Sequence, residues 1–162
     1  MSVRIRSLLP SVLVGLGTCL VAATAPALAQ KSPPNVQFIS LHNGPGYTIR
    51  TVTLKWKVGD EVRQERWTSN ITSSKGFCVD LSKVKADTEN PIPEGAEVWL
   101  VVDIDAGETK SCRKDTKKFY KANSQHLHYK IGGTTLDSNR CRFAGKSVAK
   151  KNITSGNSKA CG

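Results

Sequence analysis

Apolar and polar residues alternate with period two along much of the chain, the pattern of strands with one buried face. The clearest case is residues 47–58, where Val52, Leu54, Trp56 and Val58 fall on one face and Thr51, Thr53, Lys55 and Lys57 on the other. Gly59-Asp60 supplies a two-residue hairpin loop with glycine first, and residues 61–68 return as a polar strand near a sheet edge. Residues 36–41 form a strand candidate, with Val36 and Phe38 sharing one face and Ile39 and Leu41 the other. Phe77, Val79 and Leu81 alternate with Cys78 and Asp80. Residues 96–105 are the most apolar, with Val98, Leu100, Val102 and Ile104 on one face and Trp99 and Val101 on the other. Apolar residues on both faces predict a central strand. Residues 117–122 and 125–131 make a further pair, and Gly132-Gly133 precedes a last strand at 134–143.

Turn chemistry punctuates these runs. His42-Asn43-Gly44-Pro45-Gly46, residues 70–76, residues 87–95 with Pro91 and Pro93, and Ala106-Gly107 all interrupt the alternation. No stretch shows helical periodicity. The pattern predicts an all-β protein, a single antiparallel β-sandwich of about seven or eight strands, with a closed β-barrel as the alternative. The domain is placed at residues 30–143, with no internal repeat and no second domain. After Phe143 the chain turns polar and basic, with Val148 and Ile153 its only large aliphatic residues. Residues 144–162 are expected as a basic, flexible tail, held if Cys161 is bonded.

The first 29 residues break the alternation. Arg4 and Arg6 precede an apolar stretch densest at 12–23, and Ala27-Leu28-Ala29 is a small-residue cleavage signature. Residues 1–29 therefore read as a signal peptide cleaved before Gln30. A membrane anchor fits less well, because the apolar core falls short of the roughly 20 residues a span needs and Pro10 and Pro26 flank it. Cys19 follows Leu16-Gly17-Thr18, but Thr18 is a poor lipoprotein cleavage residue and the apolar run continues beyond it. The expectation is a periplasmic or secreted protein with no integral membrane segment in its mature chain.

Export changes how the cysteines read. Cys78, Cys112, Cys141 and Cys161 remain after residue 29, and an even count in an exported domain predicts two disulfides. Three pairings are open. Cys78 with Cys112 and Cys141 with Cys161 is preferred because it closes the shorter loops. Metal ligation is disfavoured, since no C-x-x-C spacing occurs.

Charge is unevenly spread. Residues 30–162 carry 22 Lys and Arg against 13 acids, a net +9. Residues 80–108 are net −6, whereas residues 109–162 hold thirteen basic residues against Asp115 and Asp137, net +11. The densest run places Lys110, Arg113, Lys114, Lys117, Lys118 and Lys121 beside Phe119 and Tyr120, and Lys146, Lys150, Lys151 and Lys159 follow. Such a cluster attracts phosphate, sulfate or carboxylate groups, or it serves only as a solvated face. Outside the cytoplasm the available polyanions are lipid headgroups, lipopolysaccharide, acidic glycans and released nucleic acid. Stacking aromatics are too few to favour nucleic acid.

Other constellations are weaker. His126-x-His128 puts two imidazoles on one strand face, the start of a zinc or copper site if a third ligand such as His42 joins them. Two ordinary polar-face histidines are preferred. Asp103-x-Asp105-x-Gly107 followed by Glu108 resembles the opening of a calcium loop, but a third acid is missing and Lys114 stands where the closing glutamate belongs. Gly145-Lys146-Ser147 ends like a phosphate loop, but Arg140 occupies the first glycine position. No G-x-S-x-G nucleophile elbow is present. Asn70-Ile71-Thr72 and Asn152-Ile153-Thr154 are sequons, relevant only in a host that glycosylates exported proteins. Trp67 and Tyr47 lie on polar segments where a sugar platform is conceivable, though half-buried packing is the simpler role.

The expected function is an exported, non-enzymatic binding module. It would contact an anionic envelope component, surface or glycan through its basic C-terminal third. The alternatives are a protein-interaction module using loops 70–76 and 87–95, such as an inhibitor, adhesin or envelope accessory domain, or a sugar-binding module. No cofactor is called for, and an enzyme ranks last.

Overall fold

A computed structural model describes residues 35–44, 46–85, 91–113, 117–134, 138–145, 149 and 152–161. The leader at 1–29, with its predicted cleavage, lies outside them.

The described chain is all-β, apart from one turn of 3-10 helix at Leu81–Lys83. Its strands are β1 (Asn35–Val36), β2 (Phe38–Asn43), β3 (Ile49–Val58), β4 (Glu61–Ile71), β5 (Gly76–Asp80), β6 (Glu97–Ile104), β7 (Thr109–Ser111), β8 (Lys118–Tyr120), β9 (His126–Gly132), β10 (Arg140–Phe143) and β11 (Ile153–Gly156). They form two sheets. The first runs β1-β8-β6-β3-β4, with β7 also on β6, and the second runs β10-β9-β2-β5-β11.

Period-two alternation explains the core. In the first sheet, Val52, Leu54 and Trp56 of β3 stand opposite Val102, Leu100 and Val98 of β6. Ile39 and Leu41 of β2, Phe77 and Val79 of β5, and Leu127, Tyr129 and Ile131 of β9 supply the second sheet's share, and both sets join one cluster. Each large apolar side chain buried this way contributes about 1.5–3 kcal/mol. As the apolar reading of both faces implied, β6 sits inside its sheet, between β8 and β3. The β3–β4 hairpin closes through Gly59-Asp60, with Val58 opposite Glu61 and Gly59 at φ +60°. β4 is an edge strand.

Four expectations need correction. The sheets are mixed rather than antiparallel, because β1–β8, β2–β9 and β5–β11 pair in parallel. Those partners are far apart in sequence, and alternation carries no strand direction. The described strands number eleven, not seven or eight. Residues 36–41 are not one strand: at Gln37 the chain leaves the first sheet for the second, as the amides of Gln37 and Phe38 both donate to Gln125 O.

The fourth correction concerns the cysteine pairing. The disulfides are Cys78–Cys161 and Cys112–Cys141, not the nearest neighbours. Loop length discriminates weakly, because closure entropy grows only logarithmically, so topology decides. β11 adds itself to β5 and brings Cys161 to Cys78, whereas β7 and β10 approach each other and join Cys112 to Cys141. The described part of the 144–162 segment is thus woven into the second sheet. Asn157 strengthens the join as a backbone mimic: its Oδ1 accepts from the Asp80 amide at 2.7 Å and its Nδ2 donates to the Asp80 carbonyl at 3.1 Å. Cys78, Ile153 and Cys161 form a second small apolar cluster with Phe38 packed against it.

Candidate functional site

Of the six cations singled out from the sequence, the five that are described are mostly paired or buried. Lys118 lies opposite Val98 of β6 and is only 3% exposed. Arg113 donates to Glu97 Oε1 at 2.8 Å and lies over the Trp99 ring, 4.3 Å from its centroid. Lys117 also reaches Glu97, at 3.8 Å, and Lys110 pairs with Glu108. Lys121 is exposed, and Lys114 lies outside the described residues. The basic run has therefore folded back onto the acidic segment that precedes it. Glu97 shows the result. The Arg113 hydrogen bond, aided by attraction from Arg113, Lys117 and Lys57 and opposed by burial, holds its carboxyl below the usual carboxylate range.

A different set of cations converges. Gly44 and Gly132-Gly133 bring the chain close to itself at one end of the second sheet, where the Gly44 amide donates to Ile131 O at 2.9 Å. A cleft of about 650 Å³ opens there, lined by Lys130, Gly132, Gly133, Ser138, Arg140, Arg142, Phe143 and Ala144. Register explains the convergence. Arg142 lies opposite Lys130 and Arg140 opposite Gly132, so all three cations leave the sheet on the face away from the core. Their chain neighbours Ile131, Cys141 and Phe143 point to the core side. Among the described residues no acid lines the cleft, and none of the three cations is ion-paired. Like charges directly opposite on neighbouring strands destabilise a sheet, so the Lys130–Arg142 pair is held at a cost.

Glycine shapes the cleft. A Cβ on Gly133, at φ +135°, would meet Ser138 O at 2.7 Å, whereas one on Gly132 would meet nothing within 4 Å. Asn139, between Ser138 and Arg140 in the chain, is 4% exposed, and neither atom of its amide finds a hydrogen-bond partner among the described residues.

The same face continues as a histidine stripe. His126, opposite Phe38, stacks on it with ring centroids 4.5 Å apart, and His128 follows at 5.8 Å. His128 Nδ1 and Ser40 Oγ are 2.5 Å apart. Burial, then the neighbouring His126, lowers the His128 pKa, and burial, then Lys130, lowers that of His42. No group of three or more His, Cys, Asp or Glu able to hold a metal occurs among the described residues. Asp103 is occupied by Arg50, at 2.9 Å. Tyr47 is buried, and half-buried Trp67 packs edge-on to Phe77 at 5.3 Å, so neither presents an open sugar platform.

Sequence reasoning passed over Arg140 and Arg142 as binding residues. Their spacing around Cys141 was a signal, two cations on one strand face. Its meaning depends on the register with Lys130, which the sequence alone does not show.

No family model matches the chain, and no curated protein is similar to it. Among solved structures it is similar to a Gram-negative toxin, at 16% identity over 65% of this chain and 22% of that one, with a TM-score of 0.35. It is also similar to a trapped toxin, at 10% identity over 66% and 23%, TM-score 0.32. A third is pneumolysin, at 10% identity over 67% and 24%, TM-score 0.31. The chain spans less than a quarter of the length of each.

Proposed function

We propose that this protein is an exported, non-enzymatic module that binds anionic groups, and that the β9–β10 cleft is where it does so. One observation carries the reading: Lys130, Arg140 and Arg142 line one concave site with no acid among its described lining residues. Arginine forks and a lysine ammonium are the side chains suited to phosphate, sulfate or carboxylate. Export is supported by the leader's composition and by two disulfides of the kind that persist in oxidising compartments. Among the described residues no helix is long and apolar enough to cross a membrane.

The test is elution from a phosphocellulose column in a salt gradient. The double variant Arg140→Gln/Arg142→Gln should elute at clearly lower salt than wild type, because two charge-assisted contacts are gone. The charge-matched double variant Arg63→Gln/Lys110→Gln, which removes two cations already paired with Glu61 and Glu108, should shift elution far less. Equal shifts for the two variants would mean that net charge alone governs retention, and the reading would fail.

A further inference from the structure

We infer that the β9–β10 cleft recognises a compact phosphomonoester carried on a sugar ring; this rests on the anion-binding reading above and narrows it to one ligand chemistry. Three features of the site carry the narrowing.

The first is charge. Arg140 and Arg142 stand about 7 Å apart along one strand face, and Lys130 stands across from Arg142. A carboxylate or a sulfate ester brings one negative charge and leaves the cluster in excess. A phosphomonoester carries close to two at pH 7, with three acceptor oxygens, which answers three converging donors. Two planar guanidinium forks and one ammonium can then each engage the phosphate.

The second is extent. A nucleic acid strand or long acidic glycan needs a track of free cations with stacking side chains along it. Away from the cleft, Arg113 and Lys117 are tied to Glu97, Lys110 to Glu108, and Lys118 is buried. Among the described residues, the cations that converge without acids occupy one end of one sheet, a geometry for a compact group.

The third is volume. About 650 Å³ is more room than a bare phosphate fills, and it lies in the range of small-molecule sites. The remaining walls suit a hydroxylated ring. Ala144 offers apolar surface, Ser138 stands at the rim, and Gly132 leaves open the space a side chain would fill. The strand that carries the two arginines is also tied down. Cys141 sits between the two arginines, and its disulfide to Cys112 pins β10 from the opposite face.

Glucose 6-phosphate is the probe, with glucose, glucose 6-sulfate and inorganic phosphate beside it in titration calorimetry on the chain lacking residues 1–29. Saturable binding of glucose 6-phosphate is expected, at least about tenfold tighter than the sulfate or inorganic phosphate, with none for glucose. Arg140→Gln and Arg142→Gln should each weaken it by about tenfold or more, the usual worth of a hydrogen bond to a charged group. Gly132→Glu should abolish it, because the new carboxylate enters open space between the cations. Should that variant misfold, the two arginine variants still decide. If phosphocellulose retention depends on Arg140 and Arg142 but glucose 6-phosphate does not bind, or binds no better than the sulfate or inorganic phosphate, the inference is overturned and the broader reading stands. If neither retention nor titration responds to these arginines, both fall. Neutral-lipid vesicles containing phosphatidylinositol 4-phosphate separate the sources. Vesicle binding displaced by glucose 6-phosphate identifies a lipid headgroup as the source, and no vesicle binding beside tight free-sugar binding identifies a soluble ester. Vesicle binding that the sugar phosphate cannot displace overturns the proposal.

Discussion

At the scale of single residues, close backbone approach decides more than side-chain chemistry. Gly156 is the sharpest case. It has φ +98°, and a Cβ there would lie 1.9 Å from the carbonyl oxygen of Cys78. Neither backbone can yield easily, because Asn157 hydrogen-bonds both backbone groups of Asp80 and Cys161 is bonded to Cys78. Gly156→Ala should therefore lower the unfolding free energy by about 3 kcal/mol or more, the range of steric and positive-φ penalties combined. A urea titration measures it. Gly132→Ala, where the new Cβ meets open space, is the matched control and should stay within about 1 kcal/mol of wild type. Lys118 makes the complementary point. In the sequence it is one more lysine in a basic run; in the fold it is buried in β8. Charge composition does not register that difference, since burial depends on which strand the residue meets.

At the scale of elements, much of the fold was legible. β3, β4, β6 and the Gly59-Asp60 turn follow from alternation and turn chemistry with little displacement, because each alternates over several residues and the hairpin partners are sequence neighbours. What was illegible needed long-range pairing. β7 is three residues long and lies on β6, and β11 lies in a polar segment and exists by pairing with β5. Neither has an apolar period of its own. The disulfide framework was hidden for the same reason. By chain entropy, the 83-residue separation of Cys78–Cys161 is worth about 4.5 kcal/mol and the 29-residue separation of Cys112–Cys141 about 3.6 kcal/mol. That difference is too small to select partners against the geometry of two sheets. The two bridges should separate functionally. Replacing Cys112 and Cys141 together by Ser releases β10, and anion affinity should fall along with stability. Replacing Cys78 and Cys161 by Ser loosens β11, at the other end of the second sheet, and should cost stability with affinity nearly intact. Calorimetric titration and denaturant midpoints on the two double variants distinguish these effects, and equal loss of affinity in both would contradict a local role for the Cys112–Cys141 bridge.

At the scale of the molecule, the strong charge asymmetry of the sequence is partly cancelled by folding. The acidic segment 80–108 takes up Arg50 at Asp103, Lys110 at Glu108, and Arg113 and Lys117 at Glu97. The outer face of the second sheet escapes this cancellation. His42, Ser40 and Phe38 come from β2, His126, His128 and Lys130 from β9, Arg140 and Arg142 from β10, and Asp80 from β5. Protons added to its imidazoles meet mostly like charge, and that fixes the sign of a pH effect on the whole fold. An unfolded histidine titrates near pH 6.5. In the folded protein the pKa of His128 is lowered, by burial and then by His126, and that of His42 by burial and then by Lys130. Below about pH 6.5 the unfolded chain therefore binds more protons than the folded one, so stability falls with acidification. The loss begins near the unfolded value and levels off once pH drops below the depressed folded values. Above pH 6.5 both states are neutral at these positions and they contribute no slope. Urea midpoints taken from about pH 8 down to about pH 5 should be flat and then decline, and His128→Asn, which keeps a polar partner for Ser40 without a titrating ring, should reduce the decline. A stability that rises on acidification through pH 6, or a slope unchanged in His128→Asn and in His42→Asn, would show that these imidazoles are not held neutral by the face they share with the cleft.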